Sequence, residues 1–210
     1  MSQTLAARRS ATRRRRNQAK QQILDAARAE LQTRPFRDLT MDDLMKPTGF
    51  GRTAFYRYFP DREAVLIELL QELSDELVEA RDEAGFGARA TEFGTIDDKA
   101  LLRLYDLVAG NRALLKAISD AAGGDDDLEA AYRGLMHDYW IRDLMALVGD
   151  AQSRGFATDL DPETTAEALG WMVERFVTQS VDRDPRLVVD TIATIVSRCI
   201  FGSSFGPELT

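Results

Sequence analysis

The sequence predicts an all-α protein: a small three-helix head followed by a larger helical bundle. Three observations carry this. Apolar residues recur at intervals of three and four through every long segment. Gly and Pro punctuate those segments where helices would need to stop or start. No stretch shows the sustained period-two alternation of a half-buried strand. The 210 residues are 44% hydrophobic, enough to fill a globular core.

The elements follow in order. Residues 1–16 are polar, Arg-rich and without periodicity, and are expected to form a disordered basic arm. A first helix over 18–33 places Ile23, Ala27 and Leu31 on one face, and Pro35 ends it. A second opens at Thr40, with Asp43 three residues on as a variant of the capping box. It stops near Lys46, because Pro47 disfavours helix before it and Gly49 suits a left-handed turn. A third, short helix covers 51–57, and Pro60 closes it. Asp61 then caps a helix over 61–84 carrying Val65, Leu66, Leu69, Leu70, Leu73, Leu77 and Val78. At 1.5 Å per residue it spans ~35 Å, enough to leave one structural unit and enter the next.

A polar, Gly-containing loop is expected over 85–95, then helices over 97–109, 111–121 and 128–154. Gly123, Gly124 and Asp125–Asp127 mark a turn, and Gly155 a stop. Asp161-Pro162 opens a helix to 182, with Pro at its first position, and Pro185 opens the last, to 201. The expected division is an arm (1–16), a helix-turn-helix head (17–60) and a helical body (61–210).

Charge separates these parts. The net charge is −8, yet residues 1–62 hold 14 Lys/Arg against 6 Asp/Glu, while residues 63–210 hold 13 against 29. A basic first third attracts a polyanion and an acidic remainder repels one, which suits a protein touching nucleic acid at one end. Arg8, Arg9 and Arg13–Arg16 supply six of those positive charges. One cysteine, Cys199, and one histidine, His137, offer neither an internal disulfide nor a zinc-type cluster. The chain has no nucleophile–base arrangement and no phosphate-cradling glycine loop, so neither an enzyme nor a cofactor is expected. Without a membrane-length apolar run or an N-terminal apolar signal, the expected setting is the cytoplasm, with no membrane partner.

The segment from Thr40 to Phe59 reads TMDDLMKPTGFGRTAFYRYF. Two short helices joined by a Gly-containing turn have helix-turn-helix geometry. Leu39, Leu44, Phe50, Phe55 and Phe59 are expected to share a small core with Ile23 and Leu31. Phe55 and Phe59 are four apart and face the same way. That turns Arg52, Thr53, Tyr56 and Arg57 outward, and such a helix fits the major groove of B-DNA.

This segment, continued through Pro60-Asp61-Arg62-Glu63-Ala64-Val65-Leu66, resembles the TetR family. The resemblance rests on a Thr opening the second helix, a glycine turn, a Phe-Tyr-x-Tyr-Phe block and an Asp-Arg-Glu start to the fourth helix. It implies that Arg52 and Thr53 meet base edges, Arg being the usual reader of guanine. Tyr56 and Tyr58 would bond phosphates, which position a helix without reading sequence. Thr40 would hold a further phosphate at its helix start, Arg62 would hold another, and Arg57 would take either role. The N-terminal arginines would enter the adjacent minor groove. Asp42 and Asp43 are expected only to suit the helix dipole. Pro47 departs from the small residue common there, which bears on the tilt of the recognition helix.

The resemblance further implies a homodimer on a near-palindromic operator, formed through the last two helices, and repression relieved by a small lipophilic effector. The last helix offers Leu187, Val188, Ile192, Ile195, Val196, Cys199 and Ile200 as interface or as core. Candidate pocket residues are Leu104, Tyr105, Val108, Met136, Tyr139, Trp140, Leu144, Trp171, Met172, Val173 and Phe176. Such residues at helical spacing also simply fill cores. Hence the alternative: a ligand-independent dimeric DNA-binding protein with a closed bundle. The phrase Ala168–Arg175, ALGWMVER, resembles an ethionamide-resistance-regulator-like subgroup, with Gly170 and Val173 where that subgroup carries polar amides. That change implies a more apolar pocket. Glu174 and Arg175 are read either as surface ion-pairing groups or as the pocket's polarity.

Overall fold

The computed structural model describes residues 2–83 and 98–202, with side chains placed for 17–83, 101–138 and 140–202. The expected loop over 85–95, the Asp98–Ala100 side chains and the side chain of Tyr139 lie outside the described residues. The described residues form ten α-helices and no strand. None of these helices is long and apolar enough to cross a membrane.

The head holds α1 (Ser2–Leu31), α2 (Met41–Met45) and α3 (Arg52–Phe55). Helix α1 runs back to Ser2, through residues 2–16 of the expected disordered arm. Residues 2–16 contain no Gly or Pro and are rich in Ala and Arg, both strong helix formers, so propensity alone extends the helix where apolar periodicity is lacking. Ile23, Leu24, Ala27 and Leu31 form its buried face.

Helix α2 ends at Met45, and a 3-10 turn, Lys46–Thr48, carries Pro47 in its first turn, where a missing N–H costs nothing. Gly49 follows at φ +71°, the left-handed conformation that a side chain would oppose. Helix α3 is shorter than the expected 51–57: one turn, after which Tyr58 and Phe59 both donate to the Phe55 carbonyl, at 2.8 and 3.0 Å.

Helix α4 (Glu63–Glu83) starts where the Asp61 carboxylate accepts from the Ala64 N–H at 2.8 Å. Its 21 residues span about 31 Å. Val65, Leu66, Leu69, Leu70, Leu73 and Leu77 are buried along it, so one stripe joins the head core to the body core. Two ion pairs fasten α1 to it: Lys20 to Glu68, and Arg28 Nη2 to Glu72 at 2.8 Å.

In the body, α5 (Asp98–Gly110) and α6 (Arg112–Ala122) meet at Asn111, whose amide donates to the Leu107 carbonyl. Helix α7 (Asp126–Met136) is capped by Asp125. The single helix expected over 128–154 is instead α7, a π-helical turn at His137–Ile141, and α8 (Arg142–Ser153). A π turn holds an extra residue and rotates the faces beyond it. Here buried Arg81 of α4 donates to the Asp138 carbonyl at 2.9 Å. Ile141 is turned onto α9 (Pro162–Gln179), where a Cβ on Gly170 would lie 3.3 Å from Ile141 Cγ1. Residue 170 therefore permits the close crossing of α9 over the π turn.

Helix α10 (Pro185–Phe201) divides its apolar stripe. Val188, Val196 and Ile200 pack inward, while Leu187 is 58% and Ile195 42% exposed, with Cys199 also exposed.

Candidate nucleic-acid interface

The outer face of the head is assembled from one anchor. Phe55 is fully buried and Phe59 nearly so, with ring centroids 5.5 Å apart. Leu39, Leu44 and Met45 close over them, and Phe50 is half-buried at the edge. Because α3 is a single turn, fixing Phe55 fixes its whole orientation. Arg52, Thr53, Tyr56 and Arg57 are consequently exposed, Tyr56 at 60%. The Tyr56 ring meets Phe55 edge-on at 5.8 Å, which holds it upright against the anchor.

The other expected contact residues are placed differently. Tyr58 is half-buried and packs on the core. Thr40 is exposed, yet its hydroxyl and amide are engaged in the capping box. The amide donates to Asp43 Oδ2 at 2.8 Å and the hydroxyl donates to the same oxygen at 2.6 Å, while the Asp43 N–H reaches back to Thr40 Oγ1 at 3.2 Å. Arg34 completes this cluster, 2.9 Å from Asp43 Oδ1 and 2.9 Å from Glu30. Hydrogen bonds from Thr40, then Arg34, hold the Asp43 carboxyl well below the usual carboxylate range.

Arg62 is turned toward the protein. Its Nη1 donates to the Leu39 carbonyl, its Nη2 lies 3.3 Å from Glu63, and its guanidinium lies 4.9 Å from the Phe36 ring centre. It lines a cleft where the head meets the end of α6, with Phe36, Arg37, Glu63, Ala121, Gly124 and Asp125.

The pairing of Arg52 with Asp42 is absent from the sequence reading. Arg52 Nε donates to Asp42 Oδ1 at 2.6 Å and Nη2 donates to Oδ2, a two-pronged bond from the first residue of α3 to the first turn of α2. Each ion favours the charged form of the other, which lowers the Asp42 carboxyl and raises the Arg52 guanidinium. The ten-residue separation hides this contact from helical spacing rules.

Residues 23–69, the head and the start of α4, match the family described as bacterial regulatory proteins, tetR family. Over 190 residues the chain is 28% identical to the HTH-type transcriptional regulator EthR of Mycolicibacterium smegmatis, covering 88% of this chain and 85% of that protein. EthR of Mycobacterium tuberculosis is 27% identical over 188 residues, 87% of each. The chain is thus similar to EthR over most of its length, and its head matches the tetR family. Its fold agrees with the regulatory protein TetR from Rhodobacter sphaeroides, at a TM-score of 0.61 and 19% identity, covering 87% of this chain and 98% of that one. The segment that matches the family, residues 23–69, contains α2 and α3.

In the body, the expected pocket residues fall into two sets. Leu104, Tyr105, Val108, Met136 and Val173 are buried in the continuous core. Trp140, Leu144, Trp171, Met172 and Phe176 are partly buried against it. Of the two positions where polar amides were expected in relatives, Gly170 sits at the close crossing with Ile141 and Val173 is buried.

Glu174 is 6% exposed, beside the Tyr132 hydroxyl, and Tyr132 meets Trp171 edge-on at 5.5 Å. Its surface-ion-pair reading gives way to a buried carboxyl, because residue 174 falls on the inward face of α9 with Val173 and Val177. Burial raises the Glu174 carboxyl above its ordinary 4.5, opposed by the Tyr132 hydrogen bond and by Arg175. A carboxyl raised by folding destabilises the protein once the unfolded chain ionises more readily than the native one. That contribution is absent below about pH 4.5 and grows as pH rises toward the native value. Glu174→Gln is therefore expected to raise the melting temperature at pH 7 and to match the parent at pH 4. Thermal melts across that range check it.

Proposed function

We propose that this protein is a non-enzymatic, homodimeric, cytoplasmic repressor that reads a near-palindromic operator through α3 and is relieved by a small lipophilic effector. One observation carries the DNA-reading part: Arg52, Thr53, Tyr56 and Arg57 stand exposed on a turn whose Phe55 is fully buried. In this reading Arg52 and Thr53 meet base edges, and Tyr56 and Arg57 meet phosphates. Tyr58 and Arg62 act chiefly as packing and tethering groups, and Thr40 keeps its helix start in place. The exposed Leu187 and Ile195 on α10 support the dimer, since two recognition helices must reach grooves about 34 Å, or a multiple of that, apart.

Selection of duplexes from a randomised pool tests the reading. A two-fold motif is the expected result, and a pool retained without preference excludes sequence recognition. On the selected duplex, Tyr56→Phe removes one phosphate hydrogen bond. It is expected to weaken selected and random duplexes by the same factor, about 2- to 10-fold, as competition binding would show.

The effector part is supported by the route from body to head. Helix α4 runs through both cores, and the end of α6 meets Phe36. A ligand that prefers one arrangement of these helices changes DNA affinity by a typical coupling of about 1–3 kcal/mol, roughly 5–150-fold. The burial of Leu104, Tyr105, Val108, Met136 and Val173 in one core favours the second reading, a closed bundle that only dimerises. Operator affinity measured with and without long-chain fatty acids, alcohols and esters separates the two: identical affinities throughout would support the closed bundle.

A further inference from the structure

Arg52 has five N–H donors in a rigid plane. Asp42 takes the side edge, Nε–H and one Nη2–H. The end edge, formed by the remaining Nη2–H and an Nη1–H, has no partner among the described residues. That edge is the fork that matches guanine N7 and O6 in the major groove. Both side chains are accessible, at 66% for Arg52 and 62% for Asp42, so a duplex can approach without breaking the pair.

Asp42 is itself held firmly. The next residue, Asp43, is committed to Thr40 and Arg34, so the two adjacent carboxylates serve different arginines, and the capping box fixes the turn that carries both. Arg57 has no side-chain partner of this kind among the described residues and is free to follow a phosphate. An unheld Arg52 would have the same freedom. Water screens the exposed pair in the free protein, but a groove closing over it excludes water and strengthens it.

We propose that Asp42 is a specificity-determining positioning residue: it holds Arg52 side-on so that the guanidinium presents its end edge to one guanine in each half-site instead of swinging to a phosphate. This rests on the reading of α3 as the recognition helix. It also assigns a sign to each effect of removing the carboxylate. Discrimination at one base position falls, while binding to random duplex holds or tightens, because a negative charge near the phosphates is gone.

The experiment compares the full-length parent with Asp42→Asn, Asp42→Glu, Arg52→Ala and the Asp42→Asn/Arg52→Ala double variant. Each is measured on the duplex selected from the randomised pool, on versions with each guanine replaced, and on random duplex. Asp42→Asn is expected to reduce the preference for one guanine per half-site by about 5- to 20-fold. Asp42→Glu, which keeps a carboxylate within reach, should recover part of it. In the Arg52→Ala background Asp42→Asn should leave base preference unchanged. If Asp42→Asn retains the guanine preference that Arg52→Ala loses, or weakens every duplex equally, the positioning role is overturned while the recognition-helix reading stands. If Arg52→Ala itself retains every preference, that reading fails and the role of Asp42 falls with it.

Discussion

Phe55→Ala is expected to destabilise the protein by about 3–5 kcal/mol, as for other buried phenylalanines, and to abolish operator binding with it. Phe55 is the largest side chain in the head with no solvent exposure, and it contacts both Phe59 and Tyr56. Helix α3 has four residues, far too few to persist by backbone hydrogen bonding alone. Truncating Phe55 therefore opens a cavity and also frees the turn that presents Arg52. The expected loss is a large share of a typical folding free energy of about 5–15 kcal/mol. Denaturant unfolding followed by far-ultraviolet dichroism measures it. A cost below about 1 kcal/mol would show that the head core collapses readily around the gap.

Arg52→Ala is expected to act without touching stability. The side chain is two-thirds exposed and its partner Asp42 equally accessible, so the fold loses little. Binding to the selected duplex should fall by about 1–3 kcal/mol, with discrimination relaxed at one position in each half-site. Affinity for random duplex should change far less, because sequence-independent affinity comes from phosphate neutralisation. Competition titrations at fixed salt separate the two. An equal loss on all sequences would mark Arg52 as a phosphate ligand.

The architecture was legible in the sequence wherever a single local signal decided it. Pro35, Thr40, Asp61, Asp161-Pro162 and Pro185 each set a helix boundary that the structure places within a few residues. Gly49 was legible because only a residue without a side chain readily takes its conformation. Phe55 and Phe59 at a four-residue interval gave away which edge of α3 faces out. Most of the misses depend on contacts between segments apart in the sequence; the arm is the exception. The π turn at His137–Ile141 interrupts a pattern that reads as one helix, and it accompanies Arg81 of α4 and Gly170 of α9. The arm was read from its missing apolar face, while Ala and Arg propensity carried the helix through it. The sequence resemblance implies a phosphate contact for Arg62, but its Leu39 and Phe36 contacts come from folding. Asp42 looked like a helix-dipole residue because its partner lies across the turn.

The recognition-helix account is tested most directly by methylation interference on the selected duplex. If Arg52 reads guanine in the major groove, methylating N7 of one guanine in each half-site blocks binding by the parent protein. The same methylation should leave the Arg52→Ala variant indifferent at those positions. Binding that tolerates N7 methylation everywhere, or that is blocked only by methylation in the minor groove, would contradict it.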